Sequence, residues 1–253
     1  MPAADCRQAA IEFGRFERSE HDTPFALFSP LHYERNYAYP LIVWLHGPDD
    51  DERQLKRVMP LVSMRNYVAV APRGTVSATT SAANANAFDL PQRGFAWSQA
   101  PDQIVLAEHR VFAALQAARR KFNVATTRIF LAGFACGGTM AMRLALSHPN
   151  VFAGAASFGG QFPQDQAPLS RIGEARRLKM LLATGRDSID YPPESVCGDL
   201  RLFHVAGMSV CLRQYPCGDG LTTSMLADMD RWIMDQVVTP AVPAADEAST
   251  WRK

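Results

Sequence analysis

From about residue 40 onward, short runs of β-branched and apolar residues alternate with longer stretches of helical periodicity, and this alternation limits the folds open to the chain. Strands separated by helix-length segments pair in parallel through βαβ crossovers, with helices covering the sheet. The strands read Leu41–Leu45, Tyr67–Ala71, Arg128–Ala132, Ala153–Phe158, Lys179–Ala183 and Ser209–Tyr215, with Phe25–Phe28 as a candidate antiparallel edge. Between Ala100 and Phe122, apolar residues fall at 104, 107, 111, 115, 118 and 122, a stripe along one helical face. A second stripe, Leu226, Met229, Ile233 and Val237, marks a helix over Leu221–Val237; further helices are expected at Asp51–Met64, Gly137–Ser147 and Pro193–Val205. The expected fold is α/β, a mostly parallel central sheet with helices on both faces.

A chain of 253 residues, 47% hydrophobic, can bury a large core in one such domain. The domain is expected over 1–238, with its core at about 25–237, and the Pro- and Ala-rich tail TPAVPAADEASTWRK, 239–253, is expected to be disordered. The run TVSATTSAANANAF, Thr75–Phe88, is too polar to pack and reads as a surface loop able to rim a site. The formal charge of +1 gives no field toward nucleic acid or an anionic membrane. Arg119, Arg120 and Lys121 close a helix, where cations meet the dipole favourably. The five cysteines are scattered without a CxxC pair, which argues against a disulfide framework and against zinc. No apolar run approaches the roughly 18 residues of a membrane span, and the start, MPAADCRQAAIEF, lacks the apolar core of a secretory signal. These features lead to the expectation of a cytoplasmic protein with no cofactor and no metal.

The most specific local pattern is IFLAGFACGGTMAMRLALSHP, a strand, the turn Gly133-Phe134-Ala135-Cys136-Gly137-Gly138, and a helix that starts with small residues. A sharp strand-to-helix turn needs glycines two positions either side of its centre, because a side chain there would strike the neighbouring backbone. This is the spacing of the nucleophile elbow, G-x-S-x-G, in strand-turn-helix context. With YPLIVWLHG, YVAVAPRGT, GFAWSQ, HPNVFAGAASFGG, KMLLATGRD and LRQYPCGDGLTTSMLADMDRWIM, the chain resembles the phospholipase/carboxylesterase group of α/β-hydrolases, over about residues 38–237.

The resemblance implies carboxylic-ester hydrolysis by a serine at the elbow, an acid after a later strand and a histidine before the last helix. Here the elbow's centre is Ala135, which carries no nucleophile. Asp187, in TGRDS, stands at the acid position, with Asp190 as an alternative; Asp219 aligns with the histidine. The oxyanion hole would use the N–H of Cys136 and one from the loop after the His46-Gly47 pair, where Pro48 has no N–H and Asp49 is the next candidate donor. Arg73 and Trp97 are candidates for the substrate pocket, with a packing role equally open for both; His46 and Gly47 are further pocket candidates, His46 reading first as a structural residue of its loop. Cys136 reads as a buried thiol, since no histidine is placed to deprotonate it.

Asp187 and Asp219 are expected to approach one another. They would then share a proton, bind a cation, or separate as the Gly220 loop relaxes, the outcome we favour. The leading expectation is an esterase homologue that has lost serine hydrolase chemistry and keeps a site for a small ester, acyl ligand or partner protein. The alternatives are an active ester hydrolase in which Asp187 and Asp219 activate water, and an engineered inactive variant of a carboxylesterase.

Overall fold

The computed structural model describes residues 24–78 and 94–238. The chain builds strands β1 (Phe25–Phe28) and β2 (Tyr39–Leu45), helix α1 (Gln54–Val62), strands β3 (Val68–Pro72), β4 (Val76–Ala78) and β5 (Gly94–Ala96), and helix α2 (Pro101–Lys121). There follow β6 (Val124–Phe134), α3 (Cys136–Ser147), β7 (Gly154–Phe158), α4 (Ile172–Ala175), β8 (Lys179–Gly185), α5 (Pro193–Val205), β9 (Val210–Tyr215) and α6 (Thr223–Val238).

Seven strands form one sheet in the order β1-β3-β2-β6-β7-β8-β9. Only β1 runs antiparallel, at the edge, with Phe25 opposite Pro72 and Phe28 opposite Ala69. Strand β2 is buried along all seven residues, as a central parallel strand covered on both faces must be. Alternate side chains feed two cores. Leu41, Val43, Leu45 and Leu131 pack with Val111 and Leu115 of α2 and Met140 and Leu144 of α3. Ile42, Trp44, Phe130 and Ala132 pack with Leu55 and Met59 of α1 and Met229 and Trp232 of α6. The mostly parallel sheet with helices on both faces is therefore the fold that the alternation of segments implies.

The sequence reading differs from the structure at several points. Strand β6 begins at Val124, ahead of Arg128, because Tyr39 pairs with Val124 across an irregularity before Leu41 pairs with Ile129. The segment read as a loop from Thr75 begins with β4, which pairs antiparallel with β5, Val76 opposite Ala96. With Ser77 at its centre and only Val76 and Ala78 beside it, the strand carries no apolar pattern, since a two-stranded surface ribbon needs no apolar alternation. The rest of that loop and the tail 239–253 lie outside the described residues.

The strand order fixes where a site can form. From β2 the chain moves outward to β3, then returns across β2 to β6, so the connections after β2 and β6 diverge. Such a switch point leaves a crevice at the carboxyl ends of the strands.

Candidate functional site

At that crevice the turn between β6 and α3 is built as tightly as its glycines suggest. A Cβ on Gly133 would lie 2.4 Å from the Gly137 carbonyl oxygen, and one on Gly137 would lie 2.3 Å from the Leu45 carbonyl oxygen. Between them Ala135 has φ 47° and ψ −118°, a conformation that an L-residue adopts only under strain. It is held by its N–H, which donates to Phe158 O at 2.8 Å, and by its carbonyl, which accepts from Thr139 N–H at 3.1 Å. The elbow geometry is kept while the side chain at its apex is a methyl group.

Ala135 opens onto a cleft of about 470 Å³ whose walls include Pro48, Gln99, Cys136, Thr139, Gln161, Gln164, Asp165 and Asp190. The N–H of Cys136, the first residue of α3, has no acceptor inside the helix it begins. Its thiol is held above the ordinary range, chiefly by burial, and is a poor nucleophile. Pro48 offers the cleft no N–H. Asp49, the next candidate donor, does not line the cleft; its backbone lies where a Cβ on Gly94 would fall.

None of the four pocket candidates lines the cleft. His46 is fully buried: Nδ1 contacts the Gly47 carbonyl at 2.7 Å, and Nε2 accepts the Gly74 N–H at 2.8 Å. That acceptor role fixes the neutral tautomer with hydrogen on Nδ1, and burial pushes the ring's pKa down. Gly47 is pressed against the Phe134 ring. Arg73 grips Glu52 through two hydrogen bonds of 2.7 and 2.6 Å and lies over Phe95. Trp97 is buried against His46, ring centroids 5.6 Å apart. All four serve the packing of the loops that frame the cleft.

The structure sets Ser188, and not Asp187, in contact with Asp219. Asp187 is exposed on the turn after β8, and its own N–H is fixed to Cys217 O at 3.0 Å. The side chain that reaches Asp219 is Ser188, whose hydroxyl donates to the Asp219 carboxylate. Asp219 also accepts the N–H groups of Ile189 at 3.2 Å and Asp190 at 3.1 Å. These donors, Ser188 first, hold the Asp219 carboxyl below its ordinary pKa. The spacing Ser-x-x-Tyr carried the missed signal: Ser188 Oγ accepts the Tyr191 N–H at 2.9 Å, closing the turn ahead of α5.

A second residue missed from the sequence is Asp199 on α5. Its buried carboxylate accepts the Phe162 N–H at 2.7 Å and the Tyr191 hydroxyl at 2.6 Å, tying the cleft wall to the Ser188 turn. Among the described residues no group of three or more His, Cys, Asp or Glu is placed to hold a metal ion. No helix among them is long and apolar enough to cross a membrane.

The Esterase family model matches residues 17–188, a span that includes the loop after β2, the elbow and the turn after β8 up to Ser188. The chain belongs to the esterase family. A probable carboxylesterase from Arabidopsis thaliana, SOBER1-like, is 22% identical over 219 residues, covering 83% of each chain. Among solved structures, a carboxylesterase from Mesorhizobium loti matches with a TM-score of 0.64 at 21% identity, over 84% of this chain and 94% of its own. Acyl-protein thioesterase 2 from Zea mays matches with a TM-score of 0.64 at 15% identity, over 85% and 100%. At these identities the structural likeness establishes the α/β-hydrolase fold shared by esterases and thioesterases.

Proposed function

We propose that this esterase-family protein binds a small ester or acyl ligand in the Ala135 cleft without hydrolysing it. The observation that carries this reading is Ala135 itself, a methyl group at the apex of a strained elbow whose glycines and hydrogen bonds are all in place. A scaffold that keeps the strain but not the nucleophile retains a shaped site and loses the attacking atom. Two further positions agree. Where a base would be needed stands the Asp219 carboxylate, and the side chain set against it is the Ser188 hydroxyl. We place the remnant triad at Ala135, Ser188 and Asp219, with Asp187 outside it. Removing any one member of such a triad lowers turnover by several orders of magnitude.

Water activation by Asp187 and Asp219 is disfavoured by the same contacts. A carboxylate that accepts three hydrogen bonds is a stabilised anion and a weak base. The test is the hydrolysis of 4-nitrophenyl butyrate by the native chain. The rate is expected at buffer background, and a fluorophosphonate probe is expected to leave the protein unlabelled. Turnover that scales with protein and disappears in Asp187→Asn would overturn the reading.

A further inference from the structure

Pro48 removes an N–H from the loop after β2, yet another residue lining the same cleft, Gln99, carries a side-chain donor without an acceptor. Arg143, seven residues after Cys136 on α3, lies on the same face of the helix and is only 2% exposed. Its Nε–H donates to Gln99 Oε1 at 2.6 Å, while its other nitrogens donate to the carbonyls of Gln164 and Asp165. Arginine has no acceptor, so this contact fixes which end of the Gln99 amide faces it. The Gln99 nitrogen is thereby turned away from the guanidinium. It is buried and has no hydrogen-bond partner. A buried amide N–H₂ left unpaired is a standing bias toward any ligand that brings it an oxygen.

Gln99 and Cys136 both line this cleft, and Cys136 starts a 12-residue helix whose leading N–H has no acceptor within it. Two donors set on one oxygen make the arrangement that holds an acyl carbonyl. The charges on the walls narrow the class. Among the described residues Asp165 and Asp190 line the cleft and no Lys or Arg does, so a free carboxylate would meet like charge. We infer that Gln99 Nε2 takes the place of the donor lost at Pro48 and, with the Cys136 N–H, binds the carbonyl oxygen of an uncharged acyl compound, an ester or amide in preference to the free acid. This inference rests on the ligand-retaining reading above and adds to it a donor and a ligand class.

The test uses the full chain, ¹⁵N-labelled, titrated with N-(4-nitrophenyl)butyramide, which mimics an ester and resists hydrolysis, and in parallel with butyrate. In the native protein the Cys136 backbone and Gln99 side-chain amide resonances are expected to shift together and saturate with one Kd, with butyrate binding at least tenfold more weakly. The diagnostic variant is Gln99→Glu, which keeps an acceptor for Arg143, and so the loop, but has no N–H to donate. It is expected to weaken the amide's Kd at least tenfold with an unchanged melting temperature. Binding by Gln99→Glu within twofold of native, or saturation at Cys136 with Gln99 unmoved, overturns the inference and leaves the ligand-retaining reading intact. A native chain that binds no amide at all overturns both.

Discussion

The Ser188 hydroxyl donates to the Asp219 carboxylate, joining the turn after β8 to the loop after β9. Both partners are small or short, and each is fixed again by backbone. Ser188 accepts from Tyr191 N–H, and Asp219 accepts from Ile189 and Asp190 N–H. The pair therefore acts as a loop clasp. A histidine at 219 would be needed to take a proton from an elbow hydroxyl, and neither the histidine nor the hydroxyl is present.

The strain at Ala135 is open to direct measurement. Removing the side chain by Ala135→Gly relieves about 1–2 kcal/mol of backbone strain and costs about 0.4–1 kcal/mol in added unfolded-state entropy. The variant is expected to be more stable than native by up to about 1.6 kcal/mol, seen as a higher urea midpoint at unchanged m-value. A lower midpoint would mean that the elbow is not strained.

His46 gives the fold an acid limit. Burial lowers its pKa below the ordinary 6.5, so the unfolded chain takes up a proton that the native ring resists. Stability from this group is complete above pH 6.5 and is lost as the pH falls below it, by up to about 1.4 kcal/mol per pH unit. The His46 ring resonance is expected to titrate with a midpoint below 6.5; a midpoint at or above that value would contradict the locked neutral tautomer.

Three tyrosine–aspartate pairs set the alkaline limit. The Tyr67, Tyr191 and Tyr215 hydroxyls donate to Asp230, Asp199 and Asp228 at 2.7, 2.6 and 2.7 Å. Burial first, and the neighbouring carboxylate second, raise each phenol above its ordinary 10.0. A raised pKa in the native state means that the unfolded chain loses its protons first. Stability is then present below pH 10 and falls as the pH rises further. Urea unfolding between pH 9 and 11.5 is expected to show this loss, with a shallower slope in Tyr191→Phe; identical slopes would exclude a contribution from that pair.

How far the sequence reveals this molecule depends on what sets each feature. The strands and long helices were legible because burial on two faces leaves continuous apolar runs, as in YPLIVWL, and one-sided burial leaves a stripe, as at Ala107, Val111, Leu115 and Ala118. The elbow was legible because its backbone leaves no room for a Cβ at Gly133 or Gly137. The clasp was not. Asp187 and Ser188 are adjacent, and which of them turns toward Asp219 is decided by the Tyr191 N–H and by Cys217 O, partners that spacing alone does not display. The pocket candidates Arg73 and Trp97 fell inward for a similar reason, since Glu52 and His46, far from them in sequence, hold them there.

The most direct test is to rebuild the remnant triad by Ala135→Ser, Ser188→Asp and Asp219→His together, and to follow 4-nitrophenyl butyrate hydrolysis with fluorophosphonate labelling. On a retained scaffold the triple variant is expected to turn over at least ~10²-fold faster than native and to be labelled, while the native chain stays at background and unlabelled. A triple variant that melts cooperatively at the native temperature, yet shows neither label nor turnover, would contradict the placement of the triad at these three positions.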